Sequence, residues 1–184
     1  HLDFSAASTA IARRRAQVRG LTNIRWVEAS LLDLPTLGLG AFDYINCVGV
    51  LHHLADPDAG LEALLSALAP DGAMGLMLYG SVGRAGVYQM QSLLALVNAD
   101  EPDPKACIEH AKQVLSGVPS SNWFKRGEDL YTDHRTSDAG LADLLLHPQD
   151  RAWTVGELYD WLVDRRGLSI ALTDVQRGRS AYVP

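Results

Sequence analysis

The hydrophobic and polar positions of this chain switch between two periods. Short, largely apolar runs stand at 42–48, "FDYINCV", and at 73–79, "AMGLMLY". A further β-rich run, "NIRWVEA", covers 23–29, and "HLDFS" reads as the tail of a strand followed by a helix cap. Between them lie helical patterns. Ser5 or Ser8 can cap a helix that runs to about Arg19, where Gly20 stops it. From Pro57 to about Ala69, Leu61, Leu64, Leu65 and Leu68 share one helical face. "LPTLGLGA" at 34–41 reads as a loop and "PDG" at 70–72 as a turn. Apolar strands separated by amphipathic helices predict an α/β fold with a parallel sheet covered on both faces.

Beyond residue 80 the pattern becomes helical. Helices are expected over 85–99, 105–115, 137–146 and 154–166, with a break at 99–104 and a loop at 116–122. Leu168 to Val175 reads as a last strand. Such a helical segment between sheet strands suits a substrate wall or lid, or the cover of a sheet edge.

Composition narrows the function classes. At 184 residues and 47% hydrophobic content, the chain can bury a core. A net charge of −6 disfavours an extended phosphate-binding face, so no nucleic-acid partner is expected. Arg13-Arg14-Arg15, the one basic run, falls in a helical pattern and reads as a solvated face. Cys47 and Cys107 form no C-x-x-C pair, which fits a reducing, cytoplasmic setting without a disulfide framework or zinc knuckle. No signal peptide and no membrane-spanning run is seen.

Ligands of open parallel sheets bind beyond the carboxyl ends of the strands. Asp3 stands at the first such end, Glu28-Ala29-Ser30-Leu31 at the second, and Cys47-Val48-Gly49 followed by Leu51-His52-His53 at the third. Tyr79-Gly80, then Gly83-Arg84, follow the fourth. An aspartate at a strand end can accept hydrogen bonds from a ribose diol.

The order Asp3, "EASLLDLP", "FDYINCVGVLHHLADP", "LAPDGAMGLMLY" resembles the class I S-adenosylmethionine-dependent methyltransferases, closest to the ubiquinone/menaquinone-biosynthesis-like branch. The resemblance covers residues 1 to about 80. It implies a Rossmann-like core over 1–80; the pattern beyond reads as a helical substrate or lid region over 81–167 and a return strand and tail over 168–184. It implies S-adenosyl-L-methionine as cofactor. Asp3 then matches the acid that holds the ribose hydroxyls, and Phe4 flanks the adenine. Ser30 stands where the family commonly has an Asp facing the adenine amino group, and Leu31 packs on the ring. Cys47 and Val48 lie beside the methionine part.

Two departures stand out. Ser30 brings no charge to the adenine contact. The family's glycine-rich loop, with its central strand, is not in the sequence, and His1 falls inside an apparent strand. This predicts a fragment whose sheet has two strand edges facing a gap. It also keeps open a non-catalytic, methyltransferase-like binding module. An NAD-dependent oxidoreductase is disfavoured, because no Tyr-x-x-x-Lys pattern occurs.

His52-His53 has three readings. Adjacent side chains diverge on regular structure, so a metal pair is disfavoured and no metal is expected. Either imidazole could act as a general base. The reading preferred here is a structural role, one ring bonded to backbone and the other at the pocket rim. Methyl transfer by alignment alone needs no base. Tyr79, Arg84, Tyr88 and His147 are the candidate acceptor-binding residues. His134 and Arg135 are further polar positions, and for all of them a turn, cap or surface role is the ordinary alternative. The acceptor, small molecule or protein, and the oligomeric state are not legible.

Overall fold

Strand β1 (Leu2–Asp3) ends where Asp3 Oδ1 accepts the Ser5 amide at 2.8 Å. Ser5 in turn caps helix α1 (Ala6–Val18) by accepting from the Ser8 amide at 3.2 Å, and Gly20 leaves it at φ 67°. The computed structural model describes residues 1–170. The chain divides into two compact units, His1–Leu78 and Tyr79 onward.

In the first unit β1 pairs in parallel with β2 (Val27–Glu28), much shorter than the expected 23–29 run. The segment expected as a loop at 34–41 instead begins as a 3₁₀ helix over Leu31–Thr36. A reciprocal capping box starts it: Ser30 Oγ accepts from the Leu32 amide and Asp33 Oδ2 from the Ser30 amide. Strand β3 (Phe42–Val48) falls where expected, but it is not covered on both faces: only Cys47 is buried, and Tyr44 and Val48 are exposed. Helix α2 (Pro57–Ser66), capped by Asp56, buries Leu61 and Leu64.

Strand β4 (Leu68–Met77) pairs in parallel with β3. It begins earlier than the sequence predicts, at Leu68, and absorbs the "PDG" turn as a register shift: Phe42 opposes Leu68, whereas Tyr44 opposes Ala73. The Phe42 amide, bonded to the Ala67 carbonyl at 2.8 Å, draws the chain into the ladder before Pro70. The ladder stops at the Val48–Met77 pair because Gly49, the residue after β3, turns the chain away with a left-handed φ of 76°.

Tyr79 therefore does not extend β4. It opens β5 (Tyr79–Gly80), which pairs in parallel with β6 (Ala152–Trp153) inside the second unit. Every strand pair among the described residues is parallel. The second unit is otherwise helical: α3 (Ala85–Val97), α4 (Pro104–Gly117), α5 (Trp123–Gly127), α6 (Asp133–Thr136), α7 (Asp138–Leu145) and α8 (Val155–Tyr159). Its core gathers Val87, Met90 and Leu94 of α3 with Leu115, Phe124, Leu141 and Leu145. The helix expected over 154–166 is split, continuing past α8 as a π-helical turn over Asp160–Asp164 that buries Trp161 against Trp153. Leu168 to Ile170 form no regular element, and the rest of the expected last strand lies outside the described residues.

Candidate functional site

In the first unit, register fixes the neighbours of Asp3. Asp3 opposes Glu28, and the Ala29 amide donates to the Asp3 carbonyl at 3.2 Å, so Asp3 and Ser30 leave adjacent parallel strands at the same end. Asp3 spends Oδ1 on the Ser5 amide and keeps Oδ2 for another donor. Phe4 is 83% exposed, an aromatic face beside that carboxylate. Ser30 Oγ already accepts the Leu32 amide, so its hydroxyl proton is its remaining polar offer.

At the end of β3, Val48 is exposed and Cys47 is buried. Burial pushes the Cys47 thiol up to about 11, so it stays neutral at physiological pH. Past Gly49 the chain makes a 3₁₀ turn over Leu51–His53. His52 is fully enclosed, whereas His53 is half-buried, and the two rings meet edge to face at 4.2 Å.

A cavity of about 340 Å³ runs between β1 and β3 rather than over the strand ends. Leu2, Val27, Tyr44 and Ile45 line it, with Leu31 and Cys47 among the sequence-predicted residues. β1 and β3 belong to separate two-stranded sheets and share no hydrogen bonds, which is why the space stays open. Asp3, Phe4, Ser30 and Val48 are not in its lining.

In the second unit, Tyr79, Arg84 and Tyr88 come together. The Arg84 guanidinium sits 3.6 Å over the Tyr79 ring and 5.7 Å from that of Tyr88. It faces the buried Asp150 carboxylate at 3.5 Å, and Gln91 Nε2 also donates to Asp150, at 2.9 Å. Burial pushes both phenols up. For Tyr79 the Arg84 charge works against it; for Tyr88 the Asp150 charge adds to it and Arg84 opposes. His147 lines another cavity, whose wall it shares with Gln91.

Asp150 and Gln91 escaped the sequence reading. An acid in "HPQDR" carries no local sign that it will meet an arginine far upstream. His134 and Arg135 prove to be partners of Glu128, each at 2.9 Å, in an ion-pair hub with Lys125. Among the described residues no group of three or more His, Cys, Asp or Glu is placed to hold a metal, and no helix is long and apolar enough to cross a membrane.

Parallel strands alternating with helices, ending in an aspartate and an exposed aromatic ring, define a Rossmann-like α/β class. Residues 1–74 match the family described as "Methyltransferase domain". An uncharacterized protein of Synechococcus sp. is 37% identical over 164 residues, 88% of this chain and 39% of that protein. Demethylmenaquinone methyltransferase of Thermus thermophilus is 40% identical over 72 residues, 39% of this chain and 32% of that protein. The chain thus spans well under half the length of these relatives. Among solved structures, PKMT2 from Rickettsia typhi superposes with TM-score 0.65 at 18% identity, covering 87% of this chain and 32% of that one. The same protein in complex with AdoHcy gives TM-score 0.56, over 82% and 30%. At this identity the structures show the shared fold.

Proposed function

We propose that the first unit binds S-adenosyl-L-methionine at the strand ends and that the protein carries out methyl transfer from it to an acceptor. The observation that carries this reading is the placement of Asp3 and Ser30 on adjacent parallel strand ends, with the exposed Phe4 ring beside them. These residues fit the ribose and adenine side of that cofactor. Asp3 Oδ2 accepts a ribose hydroxyl, Phe4 offers a stacking face, and the Ser30 hydroxyl donates to a ring nitrogen. The neutral Cys47 thiol and Val48 supply apolar wall. Bound there, the cofactor supplies an activated methyl group, which asks of the protein chiefly alignment and exclusion of water.

His52, enclosed in the core, acts as structural support in this reading, and His53 is the one histidine of the pair at the rim. Within the second unit, Tyr79 and Tyr88 present neutral phenols around the Arg84 guanidinium, an arrangement suited to holding a polar ligand group. The AdoHcy complex of PKMT2 and the named methyltransferase of Thermus support the cofactor assignment by similarity. The cytoplasmic setting expected from the unpaired cysteines belongs to the same reading.

The test is isothermal titration of S-adenosylmethionine into the protein expressed from its full coding sequence, wild type against Asp3→Ala. Losing hydrogen bonds to a charged group should weaken binding by ~1–3 kcal/mol. Equal affinities would remove the ribose role. A second reading, a non-catalytic binding module, is favoured by one feature: Ser30 is already engaged as a helix cap where the family commonly has an acid. Cofactor binding without methyl transfer to any offered acceptor would select it.

A further inference from the structure

We infer that the second unit holds a binding pocket of its own, for a small molecule with an apolar body and a neutral or cationic hydrogen-bond donor. The pocket is a cleft of about 600 Å³ between α3, α4 and the end of α7. That volume falls within the roughly 300–1,000 Å³ typical of small-molecule sites. Leu94, Ala95, Ile108, Ala142, Leu146 and Pro148 give it apolar walls. The cleft exists because α3 and α7 present alanines there, where a longer side chain would fill the space between the helices. Beneath it Leu94 and Leu145 belong to the buried helical core, so the floor is rigid.

Polar groups at the wall set the chemistry. Gln91 Nε2 is tied to the Leu144 carbonyl at 3.0 Å and to Asp150 Oδ2 at 2.9 Å. That fixes the amide and leaves its oxygen as an acceptor for a ligand N–H or O–H. Glu101 stands in the lining, between Asp100 and Asp103 in sequence, its Oε1 accepting the Asp103 amide at 3.0 Å. His147 shares the wall with Nδ1 accepting the Gln149 amide at 3.1 Å. Among the described residues the lining contains no Lys or Arg; Lys105, next to Pro104, is not part of it. Such a surface attracts a donor or a cation and repels a carboxylate or phosphate. None of these residues belongs to the cofactor site proposed above, so the inference stands whether or not the protein transfers methyl groups.

Three probes of one shape read the pocket: 1-naphthylmethylamine, 1-naphthylmethanol and 1-naphthoic acid, titrated by fluorescence. The amine and the alcohol should bind saturably, one per chain, and the acid at least ~10-fold more weakly, a difference of about 1.4 kcal/mol. Ala95→Phe and Ala142→Phe fill the cleft from opposite walls. Ala95 is exposed on α3, so its variant should keep the wild-type circular dichroism and melting temperature while losing amine binding. Glu101→Gln should narrow the gap between amine and acid and leave the alcohol unchanged. Amine binding that survives Ala95→Phe in a folded protein, an acid that binds as tightly as the amine, or no saturable binding to wild type would each overturn the inference.

Discussion

Glu128 shows how much a single carboxylate can gather. Lys125 Nζ and His134 Nε2 meet one of its oxygens and Arg135 the other, each at 2.9 Å. Burial by itself would raise its pKa. The hydrogen bonds from Lys125, His134 and Arg135 outweigh that and hold the group at about 2, against an ordinary 4.5. A carboxyl lowered in the folded state contributes stability that is fully present above its unfolded value and lost as pH falls through its folded value. Glu128→Gln should therefore be less stable than wild type at neutral pH, and the gap should close between pH 4.5 and about 2. Urea midpoints of the two proteins across that window give the check. Cys47 makes the complementary case. Its thiol, buried and held near 11, should resist alkylation at pH 8 in the folded protein, while the half-buried Cys107 reacts first; peptide mass mapping distinguishes them. Rapid labelling of Cys47 would mean that the β3 end opens readily.

At the scale of elements, close approach decides what is tolerated. Helix α3 passes α5 at Gly86, where an added Cβ would meet the Phe124 amide nitrogen at 2.6 Å and the Trp123 carbonyl carbon at 2.7 Å. Those are backbone atoms and cannot swing aside. Gly86→Ala should force the two helices apart and cost ~1–3 kcal/mol, the usual scale of overpacking. At Gly117, at the end of α4, an added Cβ meets nothing within 4 Å, so Gly117→Ala should be neutral or slightly stabilising. Denaturant unfolding of the pair provides an internal control. The 3₁₀ helix after β2 depends on its cap instead. Ser30→Ala should cost ~1 kcal/mol by removing the side-chain acceptor for the Leu32 amide. If Ser30 also meets the adenine, the same change weakens cofactor binding in a protein that remains folded.

For the whole molecule, the division after Leu78 carries a prediction. The core cluster of Val87, Met90, Leu94, Phe124, Leu141 and Leu145 lies wholly within the second unit, and the strand pair of β5 with β6 closes within it too. A chain begun at Tyr79 should therefore keep helical circular dichroism and unfold cooperatively. A molten, non-cooperative product would show that the second unit needs the first.

What the sequence by itself determined is what repeats locally. The apolar run at 42–48, the Leu61 and Leu64 face of α2 (Leu68, expected on it, opens β4 instead), the Ser5 cap and the helical patterns of α3, α4 and α7 are legible, because hydrophobic periodicity and capping act over a few residues. So is the ordering of Asp3, Ser30 and Val48 at or just past strand ends. The tertiary structure alone decided which backbone partner each segment found. "AMGLMLY" reads as one strand, yet Met77 closes a ladder with Val48 while Tyr79 pairs with Ala152. The "PDG" stretch has turn chemistry, yet its neighbours are drawn into β4 by the bond from Phe42 to Ala67. Arg84 found Asp150, Tyr131 found the Gly83 carbonyl, and His52 went to the core while His53 stayed at its edge. A hydrogen bond or an ion pair between distant segments leaves no periodic trace in the chain. It is settled by loop closure and by which polar groups are buried together, and those are properties of the fold as a whole.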